Sequence, residues 1–135
     1  MTKVADIVRD ALGHLREIDA NEAVEAEDAR DAVRALNLMM RRWEANGLAL
    51  GWKDVAGVDD DLPAPAEAEE AIGYNLALKL RARYGSTLDQ DVVALANDGL
   101  AMLRADVAAR DAARVSYDLP GVGCAGGLSD FLSGR

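Results

Sequence analysis

Apolar side chains recur along this chain at spacings of three and four residues, in stretches separated by polar or glycine-bearing breaks. That period belongs to helices with one buried face. Val4, Ile7, Val8, Ala11, Leu12 and Leu15 predict a first helix from about Lys3 to Arg16, with Thr2 as its N-cap. Gly13 weakens this helix and offers room for a close neighbour. Asp19 to Glu25 is acidic and loop-like. Ala29, Val33, Leu36, Met40 and Trp43 then form a narrow seam on a second helix, from about Glu27 to Ala45. Glu27, Asp28 and Asp31 near its start and Arg41 and Arg42 near its end complement the helix dipole. Asn46-Gly47 stops it, with Gly47 suited to the left-handed conformation.

The helical period fails over residues 48–58, which are short in apolar runs and rich in glycine. They predict a β-hairpin-like ribbon, two extended runs around a turn near Lys53-Asp54. Asp59 to Pro65 follows as a linker, because two closely spaced prolines bar regular structure. A third helix starts at Pro65 or Ala66 and runs to Tyr84, where Gly85 ends it. Its apolar residues occupy more than one face, which predicts a central helix or one packed against a second subunit. A fourth helix runs from about Leu88 to Ala113, with Val92, Leu95, Ala96, Gly99, Met102, Leu103 and Val107 as its buried stripe. The expected fold is mainly α: about four helices over residues 1–115, with the ribbon between helices two and three. Residues 116–135 form an extended arm containing glycine and proline. That arm keeps Tyr117, Leu119, Val122, Leu128, Phe131 and Leu132, more apolar surface than a free tail carries, so it is expected to order on a partner.

Composition narrows the function. The chain has 135 residues, enough for one domain that folds without disulfides or metal. Its net charge of −9 opposes a sequence-independent grip on nucleic acid, which needs clustered Lys and Arg. The same charge opposes an anionic membrane and suits a surface that DNA passes without sticking. No apolar run is long enough to span a bilayer, and residues 1–6 lack the pattern of a signal peptide. The single cysteine, Cys124, has no disulfide or zinc-cluster partner in the chain, which fits synthesis in a reducing cytoplasm.

Candidate chemistry is thin. Gly121-Val122-Gly123-Cys124-Ala125-Gly126 matches the dinucleotide pattern G-x-G-x-x-G, but no strand–turn–helix unit surrounds it and the later acidic residue is missing. His14, the only histidine, has no partner that spacing can supply, and Cys124 has no activating cation. Asp59-Asp60-Asp61 lacks the alternation of a calcium loop and reads as solvated linker. The expectation is a protein with no catalytic residue, metal or cofactor. Trp43 belongs to the core. Trp52, on a glycine-flanked segment, fits a core or an interface equally well.

Two blocks carry a resemblance. The run from Asp31 through Ala35-Leu36-Asn37-Leu38-Met39-Met40 and Trp43 to Gly47 resembles the A-x-x-x-L-N-x-M-x-x-x-W-x-x-x-G segment of head-to-tail connector proteins of tailed phages. The run Ala71-Ile72-Gly73-Tyr74-Asn75-Leu76-Ala77 to Tyr84-Gly85 resembles the Y-N-L-A helix of the same proteins, in particular the tail accessory factors, or packaged-DNA stabilisation proteins, of short-tailed phages. The chain departs from them at Arg81-Ala82-Arg83, where proline is common. The resemblance spans about residues 3 to 113. It implies a helical subunit of a twelve-membered ring beneath the portal, located in the virion at the head–tail junction and made in the host cytoplasm. Such a ring extends the DNA channel, offers a platform to tail or nozzle proteins and helps retain packaged DNA, with no cofactor. Leu50, Trp52, Val55 and Tyr74 are then the candidate subunit or tail interface. Tyr117, Leu119, Pro120, Val122, Leu128, Phe131 and Leu132 are the candidate portal-docking arm. The alternative is a small acidic helical interaction or regulatory module unrelated to virions.

Overall fold

The computed structural model describes residues 2–15, 23–87 and 89–118. Among them lie four helices, α1 (Val4–His14), α2 (Ala26–Ala45), α3 (Glu69–Tyr84) and α4 (Gln90–Asp118), with a 3-10 turn at Ala66–Ala68 leading into α3. The chain divides into two compact units, residues 1–103 and 104–135. In the second, the described residues 104–118 are helical, and 108–113 are exposed.

In the first unit α3 packs against both α1 and α2. Its buried residues, Ala71, Ile72, Gly73, Leu76, Ala77 and Leu80, cover more than one face, as its unfocused apolar pattern predicts. Leu12 and Val8 from α1, Leu36 and Met40 from α2, and Ile72, Leu76 and Leu80 from α3 are all fully buried. The seam predicted on α2 is buried at Val33, Leu36, Met40 and Trp43, and Ala32 and Met39 widen it. Gly85, at φ +64, ends α3 in the left-handed conformation that a side chain resists.

The fourth helix reaches α3 through two small residues of its predicted stripe, Ala96 and Gly99. A Cβ built on Gly99 would lie 2.9 Å from the Ala71 Cβ, so glycine and alanine set the approach of the two helices. Asn75 fastens the same junction: its Nδ2 donates to the Ala71 carbonyl at 2.8 Å and across to the Ala96 carbonyl at 3.0 Å. Gly13, by contrast, meets nothing within 4 Å, so the close neighbour expected there is found at Gly99 instead. Val92, Ala96 and Leu103 are buried, but Leu95 and Met102 of the predicted stripe are exposed at 42% and 67%. The apolar residues of α4 wrap too far round the helix for the α3 contact to cover them all.

The β-hairpin-like ribbon is not formed. No strand occurs among the described residues; the segment between α2 and the 3-10 turn is a strap of irregular extended backbone. A hairpin needs its own peptide groups for a cross-strand ladder, and here those of Val55 and Val58 are engaged elsewhere, with Asn37 and with the start of α1, while the turn that follows pairs with the same helix start. The Val4 N–H donates to the Asp60 carbonyl at 3.0 Å, Ala5 N–H to Val58 at 2.9 Å, and Leu62 N–H to Thr2 at 2.9 Å. An isolated antiparallel bridge joins Lys3 to Asp61. The strap thereby supplies the carbonyls that the first turn of α1 lacks. Lys3, not Thr2, is the N-cap residue, and its own N–H donates to Asp6 Oδ2 at 3.2 Å. The α4 helix also extends past the expected end near Ala113 to Asp118, so Tyr117 has helical backbone.

Candidate functional site

The strap is held to α2 by side chains of the first recognisable block. Asn37 Nδ2 donates to the Val55 carbonyl at 2.9 Å, and the Val55 N–H donates back to Asn37 Oδ1 at 3.0 Å. One amide side chain therefore pairs with a peptide as a neighbouring strand would. One turn further on, Arg41 makes a two-pronged ion pair with Asp54, with Nε to Oδ1 at 3.0 Å. Arg41 holds the Asp54 carboxyl below its ordinary range. The aspartate run is structural as well. Asp60 Oδ2 accepts from the Ala56 and Gly57 N–H groups at 2.7 and 3.3 Å, and Asp61 pairs with Lys3 Nζ at 2.7 Å. The expected solvated linker is thus a turn fastened to the start of α1.

These fastenings decide where the predicted interface residues go. Trp52 and Val55 are each only 8% exposed, within the core of this chain. The Trp52 Nε1 is buried without a hydrogen-bond partner. Leu50 and Tyr74 are half-buried and keep some surface. Tyr74 lies on α3 at a distance in sequence from the strap; its ring stacks on the His14 imidazole, with centroids 4.1 Å apart and planes 15° from parallel. Both line a groove of about 420 Å³ between α1 and α3, rimmed by Asp10, Glu69 and Glu70. Burial lowers the His14 pKa below its ordinary value, against the opposing pull of Asp10 and Glu70. The imidazole is therefore half-buried and favours the neutral form, with one face against Tyr74.

The outward side of α2 was not foreseen as a site. Arg30, Arg34, Leu38, Arg41 and Arg42 are all exposed, on the side opposite the buried seam. Four arginines gathered on one helix face stand out in a chain of net charge −9. The signal was present in the four- and seven-residue spacings of the arginines, masked by the more regular apolar seam. Asn37 and Asn75 stand within the two recognisable blocks, but nothing in the local pattern marks them as clamps.

Among the described residues no three His, Cys, Asp or Glu side chains gather as metal ligands, and no helix is long and apolar enough to cross a membrane. The G-x-G-x-x-G run, Cys124 and the predicted arm residues Leu119, Pro120, Val122, Leu128, Phe131 and Leu132 lie outside the described residues. A family model described as P22 tail accessory factor matches residues 1–129, well beyond the two blocks around Trp43 and Tyr74. No curated protein matches the chain.

Proposed function

Because the chain belongs to the tail accessory factor family of phages, we propose that it is a head-to-tail adaptor subunit without a catalytic step of its own. The family carries a structural role in the virion. Copies of the chain form a ring, about twelve by resemblance, beneath the portal protein. The ring lengthens the DNA channel, receives the tail or nozzle proteins and helps retain the packaged genome. The observation that carries this reading is the family match across nearly the whole chain. The fold is consistent with it. The two blocks that resemble connector proteins contain the two asparagine clamps, which fix the strap and α4 on a rigid helical body.

A ring contact between identical subunits is heterologous, so each copy must present two different surfaces. The acidic excess, repeated around a ring, would keep DNA in the channel from sticking. Reversing the charge of channel-lining acids should then slow DNA ejection. The residues from Tyr117 onward are assigned to portal docking. Mixing the purified chain with its portal protein tests the whole reading by native mass measurement and electron microscopy. A ring of this chain seated on the portal is the expected result; a chain that stays unassembled with portal present would overturn it.

A further inference from the structure

We propose that the outward faces of α2 and α4 are the two halves of the contact between neighbouring copies, an assignment that rests on the ring reading above. The exposed large apolar residues among those described are Leu38, Leu95 and Met102. All three fall on these two faces. Leu95 and Met102 are seven residues apart on one side of α4, and Asp91 and Asp98 share that side, all four exposed. Leu38 stands on α2 between the exposed Arg34 and Arg42; on the same side Arg41 is paired with Asp54 and Asp31 with Arg83, and Glu27 lies toward the start of the helix. One face is apolar with carboxylates; the other is apolar with guanidiniums.

The dimensions agree. Asp91 and Asp98 are separated by about 10.5 Å along α4, and Arg34 and Arg42 by about 12 Å along α2, at the rise of an α-helix. A second copy can therefore set its acidic pair against the arginines while Leu95 and Met102 cover Leu38. The two faces differ, as a closing ring requires, and each is complementary to the other and repels its own kind. The occupant proposed for both faces is a second copy of the chain, because its own two faces supply the complementary charge.

Two full-length variants test this. One carries Asp91→Lys and Asp98→Lys, making both faces basic; the other carries Arg34→Glu and Arg42→Glu, making both acidic. All four positions are exposed, and circular dichroism and melting check that each variant folds. Assembly on portal protein is followed by sedimentation and electron microscopy. Each variant alone is expected to need at least about tenfold more protein than the wild type for half-assembly, because like charges meet at every junction. An equal mixture is expected to recover wild-type assembly, since alternating copies restore a complementary pair at each junction. Wild-type assembly by either variant alone, or a mixture no better than its parts, overturns this interface and leaves the ring standing. Failure of the wild type to assemble overturns the ring and this contact together.

Discussion

The side-chain amide of Asn37 exchanges two hydrogen bonds with the peptide of Val55, at 2.9 and 3.0 Å, and so holds the strap against α2. This pair sits eighteen residues apart in the chain and is part-buried. Asn37→Ala leaves a donor and an acceptor of Val55 without their partner. Urea unfolding should show a loss of about 1–3 kcal/mol, the range for buried polar groups left unpaired. Asn37→Asp keeps the acceptor and loses the donor, so it should fall between the two. An Asn37→Ala variant as stable as the parent would mean that the clamp contributes nothing.

Gly99 and Gly13 both interrupt helices, and the structure separates them. Gly99→Ala places a methyl group 2.9 Å from Ala71 Cβ, and the helices must part or shift. A loss of about 1–3 kcal/mol is expected from overpacking, and Ala71→Gly in the same chain should recover part of it. Gly13 faces open space, so Gly13→Ala should stabilise by about 0.5–1 kcal/mol through helix propensity. Equal responses at the two positions in thermal melts would contradict the α3–α4 packing.

His14 is the only histidine, so its ring gives a single set of imidazole proton resonances. Burial against Tyr74 depresses its pKa below the ordinary 6.5. The folded state then binds its proton less readily than the unfolded chain does. The stability this group contributes is present above pH 6.5 and is lost as the pH falls through the folded value. An NMR titration should place the midpoint below 6.5, and Tyr74→Ala should move it upward. A midpoint at or above 6.5 in the intact chain would remove the stacked, half-buried imidazole.

At the alkaline end, burial and the neighbouring Asp28 push the Tyr84 hydroxyl up to about 12, from an ordinary 10. A raised folded value contributes stability below pH 10 that declines as the pH climbs toward 12. Tyrosinate absorbance should show a late ionisation step near pH 12, and Tyr84→Phe should abolish that step. The late step persisting in Tyr84→Phe would assign it to another tyrosine.

Three of the four helices were legible to within a few residues at both ends, because each pairs an apolar face with a stop signal such as Asn46-Gly47 or Gly85. The fourth, α4, starts where its pattern does but runs on to Asp118, past the point where its large apolar residues thin out. The expected ribbon fails for a specific reason. Glycine and short apolar runs signal extended backbone, but they carry no information about which groups will satisfy it. Here the partners are Asn37 and the start of α1, remote in sequence. Of the candidate interface residues, Trp52 and Val55 turn inward under the Asn37 clamp while Leu50 and Tyr74 keep surface, a sorting that local pattern does not carry.

The sequence by itself determined the helical class, the apolar seam of α2, the many-sided apolar surface of α3 and the resemblance of two blocks to phage connector proteins. These follow from local period and residue type, which act over a few turns of chain. Only the tertiary structure decided that the strap is a clamped cord, that Gly99 and not Gly13 admits a neighbouring helix, and that Leu38, Leu95 and Met102 face outward. Each of those depends on which surfaces remain after α1, α2 and α4 have packed on α3. A periodic pattern marks what a helix could bury, but the area its neighbours can cover sets what it does bury.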